Sequence, residues 1–200
     1  MSELNWLPPS IQTPNERLIY TLTTTNWGAT PSNVSIKAYD TSQEDKDVTN
    51  TVFPDNEPSV DTNTISLSLL RALTANHVYR IEYQFDVTGS TLEARKEVRC
   101  VPYYVIRKPV YQSSSESVAY AINMANRVTS PTSATIYAYD EMGDKDVTAT
   151  IISDSSPTPS GNNIPVIVES LTRNHSYRIA VRVVKSTQIW EPSFQVKCGF

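Results

Sequence analysis

The chain contains a second copy of its own pattern. Pro31-Ser-Asn-Val-Ser-Ile-Lys-Ala-Tyr-Asp40 aligns with Pro131-Thr-Ser-Ala-Thr-Ile-Tyr-Ala-Tyr-Asp140, and Lys46-Asp-Val-Thr49 aligns with Lys145-Asp-Val-Thr148. Leu73-Thr-Ala-Asn-His-Val-Tyr-Arg-Ile81 recurs as Leu171-Thr-Arg-Asn-His-Ser-Tyr-Arg-Ile179. Upstream, Pro9, Tyr20 and Leu22 match Pro109, Tyr120 and Ile122; downstream, Cys100 matches Cys198. The offset drifts from 100 to 98, which two single-residue deletions absorb. Such a period is too long for a solenoid unit and right for a small sandwich domain. Two domains are therefore expected, residues 1–101 and 102–200. No Gly/Ser-rich linker separates them, because Tyr103-Tyr-Val-Ile-Arg-Lys-Pro109 already reads as the first strand of the second copy.

Within each copy the apolar residues alternate. Tyr79, Ile81, Tyr83, Phe85 and Val87 share one face of a segment whose other face holds Arg80, Glu82, Gln84 and Asp86. That period of two is a strand with one buried and one wet side. The second copy turns Tyr177, Ile179, Val181 and Val183 inward. Further inward sets are Leu18, Tyr20, Leu22; Val34, Ile36, Ala38; Ile65, Leu67, Leu69; and Leu92, Ala94, Val98, Cys100. Their counterparts are Val118, Tyr120, Ile122; Ala134, Ile136, Ala138; Ile164, Val166, Val168; and Trp190, Phe194, Val196, Cys198. No segment sustains a helical period. The predicted fold is all-β: two tandem antiparallel Greek-key sandwiches.

Leu73 stands six residues before Tyr79, and Leu171 six before Tyr177, with a polar, turn-like segment between. These four residues are predicted to form a tyrosine corner in each domain, the ring packed inward and the hydroxyl bonded back to the corner backbone.

Groups able to carry chemistry are sparse. Each domain has one cysteine, at the same place, so no bridge can form within a domain; both are read as buried thiols. His77 and His175 are likewise one per copy and are read as polar turn residues. Asp40, Glu44, Asp45 and Asp47, repeated as Asp140, Glu141, Asp144 and Asp146, are read as solvated turns, with a calcium loop as the minor reading. The following Asp-Val-Thr is expected to open a strand, with Val48 and Val147 inward. No Gly-x-Ser-x-Gly, His-Glu-x-x-His or Walker loop is present, so neither catalysis nor a cofactor is expected. Trp27, in a loop, is a candidate partner contact if it is not a lid on its own core.

Composition narrows the partners. A net charge of -4 and a pI of about 5.2 argue against a backbone-driven nucleic-acid binder. No apolar run reaches the roughly 18 residues of a membrane span. The first residues have no basic start and no apolar core, so no secretory signal is expected.

Ala38-Tyr-Asp, Asp47-Val-Thr, Ile65-Ser-Leu-Ser-Leu-Leu, Leu73-Thr and Tyr79-Arg-Ile, repeated by Ala138-Tyr-Asp, Asp146-Val-Thr and Tyr177-Arg-Ile, resemble tandem immunoglobulin-like, fibronectin-III-like repeats. In particular they look like those of tailed-bacteriophage structural proteins. The resemblance implies a non-enzymatic virion component: capsid decoration, neck or tail accessory protein. It would be assembled in the host cytoplasm and act on other virion proteins or on itself, without nucleic acid or membrane. A cell-surface adhesion or carbohydrate-binding module is the alternative, using end loops and aromatics such as Trp27.

Overall fold

The computed structural model describes residues 5–28 and 30–199. The chain divides into two compact units, Met1–Pro102 and Tyr103–Phe200. Each is an immunoglobulin-like β-sandwich.

The first unit is built from β1 (Asn5–Gln12), β2 (Thr21–Thr23), β3 (Ser32–Asp40), β4 (Lys46–Asp47), a single helical turn α1 (Thr49–Val52), β5 (Ser59–Asp61), β6 (Thr64–Ser66), β7 (Val78–Val87) and β8 (Ser90–Cys100). One sheet runs β1-β8-β7-β3-β4 and the other β2-β6-β5. The chain therefore crosses between sheets after β1, after β2, after β4 and after β6, the Greek-key pattern. The alternation in β7 is realised in full: Tyr79, Ile81, Tyr83, Phe85 and Val87 are all buried. They meet Leu22 and Ile65 of the facing sheet, with Phe53 and Leu70 closing the same core. The β7–β8 hairpin turns on Thr88 and Gly89, both at positive φ (50° and 79°). Two left-handed residues make the tight turn whose twist matches paired strands, and glycine adopts that conformation without strain.

The second unit repeats the plan with β9 (Tyr104–Val105), β10 (Val110–Gln112), β11 (Val118–Asn123), β12 (Ser133–Asp140), β13 (Lys145–Asp146), the turn α2 (Thr148–Ile151), β14 (Asn163–Val168), β15 (Ser176–Lys185), β16 (Gln188–Trp190) and β17 (Pro192–Cys198). Its larger sheet runs β10-β17-β15-β12-β13, with β16 on β15 and β9 on β17; β11 and β14 form the other. Pro192 has no N–H to give, so the last strand is broken there into two pieces, although both keep one register on β15.

Three features depart from the predicted arrangement. First, the edge pairs β1–β8, β10–β17 and β9–β17 are parallel, not antiparallel. Second, Asp-Val-Thr does not open a strand. Asp47 ends β4, and its carboxylate accepts from the backbone N–H and the hydroxyl of Thr49, which starts the helical turn. Asp146 accepts from the Thr148 N–H in the same way. Val48 and Val147 are half-buried. Third, the inward alternation of Ile65 and Leu67 does not extend to Leu69: Leu70 is buried instead, bridged to Leu18. Among the described residues no helix is long and apolar enough to cross a membrane.

Candidate functional site

The repeated polar residues converge on one end of each sandwich. Tyr79 is buried, and its hydroxyl accepts from the Thr74 N–H at 2.7 Å. Tyr177 does the same with the Thr172 N–H at 2.9 Å. Leu73 and Leu171 lie buried beside them. The corner is where the chain leaves one sheet for the other, so this bond fixes the entry of β7 and of β15.

His77 lies within the same corner. Its Nδ1–H donates to Asp40 Oδ2 at 2.7 Å, and its ring stacks on Tyr79 at 6.4 Å. The other oxygen of Asp40 accepts from the Ser42 N–H, so a nearly buried carboxylate is fully engaged. The second domain repeats the unit: His175 Nδ1 to Asp140 Oδ2 at 2.6 Å, ring on Tyr177 at 6.2 Å, and Asp140 Oδ1 on the Met142 N–H. The histidines are thus more than turn residues. Each ties the corner of one sheet to the end of the neighbouring strand, β3 or β12. A hydrolytic dyad would need a nucleophile on the free ring nitrogen. Among the described residues no hydroxyl or thiol hydrogen-bonds to Nε2 of either ring.

A second polar unit lies at the start of each domain. Gln12 is 0% exposed. Its amide donates to the carbonyls of Glu16 and Leu70, while its oxygen accepts from the Tyr20 hydroxyl. Glu16, also 0% exposed, accepts from the Thr13 N–H. Gln112, Glu116, Tyr120 and Ser113 rebuild the clasp, with Val168 in the place of Leu70. The sequence reading missed this unit. Its signal was present: Gln-x-x-x-Glu-x-x-x-Tyr recurs at the offset of 100.

The acidic turns do not gather. Asp40 is bound to His77, Asp45 to Arg80 and Asp47 to Thr49; in the second domain Glu141 accepts from the Gln195 amide. Among the described residues no three His, Cys, Asp or Glu side chains come together as a metal site. Cys100 and Cys198 are both buried and free, and burial, with the Glu16 carboxylate adding to it, pushes the Cys100 thiol up to about 12. Trp27 is half-buried and packs on Phe85 at 5.6 Å, as part of the first domain's core.

The two outer faces differ. On the first domain the large sheet carries a charge ladder: Arg80 to Asp45 and Glu82, Arg95 to Glu82, Arg99 to Glu97. On the second, Arg178 keeps a ring contact that Arg80 also makes, lying over Tyr139 at 4.4 Å as Arg80 lies over Tyr39 at 4.9 Å, but it has a second ring, Tyr103, at 5.4 Å in place of carboxylates. An Arg–Glu pair there is Arg182–Glu191 at 3.5 Å.

No family model matches the chain, and no curated protein matches it. Solved structures similar to it include a chimeric titin Z1Z2 carrying a decorin-derived KLER peptide. That structure is 10% identical, with 96% of this chain and 93% of that one covered and a TM-score of 0.37. The titin Z1Z2 domains in complex with telethonin are 8% identical, over 99% and 95%, at a TM-score of 0.31. An endo-fucoidan hydrolase of glycoside hydrolase family 107 is 8% identical, over 96% of this chain and 33% of that one, at 0.35. These likenesses carry no reading of function. The sandwich assignment rests on strand order and register.

Proposed function

We propose that the chain is a non-enzymatic structural and interaction protein, a two-domain building block whose outer faces dock on other proteins. One observation carries the reading. The polar residues that the two copies share, the Gln-Glu-Tyr clasp and the Asp-His-Tyr corner, bond within their own domain and lie at the same places in both. These shared bonds are spent on closing the fold, whereas the charged partners of the outer-face arginines differ between the copies. Function carried by surface contacts, with burial and complementarity as the source of affinity, follows from that division.

The finer reading is a component of a phage virion: capsid decoration, neck or tail accessory protein, with other virion proteins or further copies of itself as partners. The support for it is the resemblance of the repeated strand-and-turn strings. Peptide mass spectrometry of density-purified particles, with washed cell envelopes as comparison, tests it. Enrichment in particles at a fixed ratio to the main coat protein supports a virion role. Presence on envelopes and absence from particles overturns it in favour of an adhesion or carbohydrate-binding module.

A further inference from the structure

The repeat provides an internal comparison for one arginine. In the first domain Arg80 pairs in register with Tyr39, lies over its ring at 4.9 Å, and is met by two carboxylates: Glu82 at 2.9 Å and Asp45 at 3.0 Å. Arg178 is its counterpart, paired in register with Tyr139 and lying over that ring. Neither carboxylate contact is made there. Alanine, Ala180, stands where the first domain has Glu82, and Asp144, the counterpart of Asp45, makes no ion pair with it. A second ring, Tyr103, has been added at 5.4 Å. Among the described residues the Arg178 side chain forms no ion pair and no hydrogen bond. Its guanidinium is held in place by two aromatic rings while its N–H donors remain open.

These donors border a recess of about 190 Å³ on the second domain. Val105, Pro109 and the buried Phe194 supply its apolar lining, and the Glu141 carboxylate, which also lines it, is engaged by the Gln195 amide. Tyr103 and Val105, at 46% and 50% exposure, leave apolar surface uncovered beside the arginine. An arginine fork matches a carboxylate in two parallel hydrogen bonds, and stacking on rings orients the fork beforehand.

We propose that this recess docks an acidic peptide segment of a partner protein. An Asp or Glu carboxylate pairs with the Arg178 guanidinium where it borders the recess, and an adjoining apolar side chain rests against Val105, Pro109 and Phe194. A carboxylated sugar shares the anion but carries hydroxyls on every side, and the apolar walls offer them little. The inference deepens the interaction-module reading by naming its contact. The two fail separately: particle association is read by mass spectrometry, the recess by direct binding.

The test is a titration of the isotope-labelled full chain, followed by amide NMR, with N-acetyl-Phe-Glu-amide, its Phe-Gln analogue and a sialyllactose. Shifts confined to Tyr103–Val105, Arg178 and Ser193–Gln195, with the Gln peptide about tenfold weaker, are the expected result. Arg178→Gln removes the response. Arg80→Gln leaves it unchanged. The spectrum of each variant reports whether it is folded. Equal responses to the Glu and Gln peptides, persistence in folded Arg178→Gln, no response at millimolar peptide, or preference for the sialoside would each overturn the proposal.

Discussion

The side-chain amide of Gln12 donates to the carbonyl of Leu70 at 3.1 Å, 58 residues further along the chain. Through that bond the end of β1 is tied to the segment that follows β6, on the opposite side of the sandwich. Gln12→Leu keeps the volume and removes the donor, leaving the Leu70 and Glu16 carbonyls without it in a buried setting. The expected loss is about 2–4 kcal/mol from the first domain. Denaturant unfolding with Trp27 as probe of that domain checks it, and the second domain's transition should not move.

Two tyrosines four residues apart should respond in opposite directions. The Tyr79 hydroxyl satisfies the Thr74 N–H, whereas the buried Tyr83 hydroxyl has no partner among the described residues, and burial holds its phenol well above its ordinary value. Tyr79→Phe is expected to lose about 1–2 kcal/mol, and Tyr83→Phe to gain about 1 kcal/mol. Melting curves of the two variants against the parent chain decide it.

Asp47 and Asp146 set part of the acid limit. Hydrogen bonds from the Thr49 and Thr148 backbone N–H groups, then from their hydroxyls, hold both carboxyls below the ordinary value of 3.8. Between the folded and unfolded values the unfolded chain binds more protons, so stability rises with pH there. The contribution is complete above the unfolded value and is lost as pH falls through the folded one. Denaturant midpoints from about pH 2 to 6 should fall steeply at the acid end, and more gently in Asp47→Asn with Asp146→Asn.

Burial places the Cys100 thiol at about 12, so it carries almost no thiolate at neutral pH, and Cys198 is equally covered. A thiol-specific chromogenic reagent is expected to titrate neither in the native chain and both in denaturant. Rapid native labelling of one would place that cysteine at the surface.

Much of the fold was legible because burial imprints a period. Tyr79 to Val87 and Tyr177 to Val183 alternate and are buried as the alternation requires. The direction of an edge strand leaves no such imprint, which is why the parallel pairing of β1 with β8 was not read. A four-residue helical turn such as Thr49–Val52 is too short to show a helical period, and only the Asp47 carboxylate bonded to the Thr49 N–H marks it. The corner tyrosines carried a spacing. The partners of the histidines did not, because Asp40 and His77 are 37 residues apart and each alone resembles a surface turn. Recurrence was the available signal: polar residues repeated as faithfully as the core are polar residues with a fixed partner.

The parallel pairing of β1 with β8 bears on how the first domain carries load. The strands that begin and end the domain point the same way, so its two ends leave the ladder at opposite extremities. Tension drawn through them slides one strand along the other and strains the bonds between Asn5–Gln12 and Ala94–Cys100 together, instead of peeling them off in turn. The second domain has only the short runs Tyr104–Val105 and Val110–Gln112 against β17, and under the same pull it is the one expected to yield first.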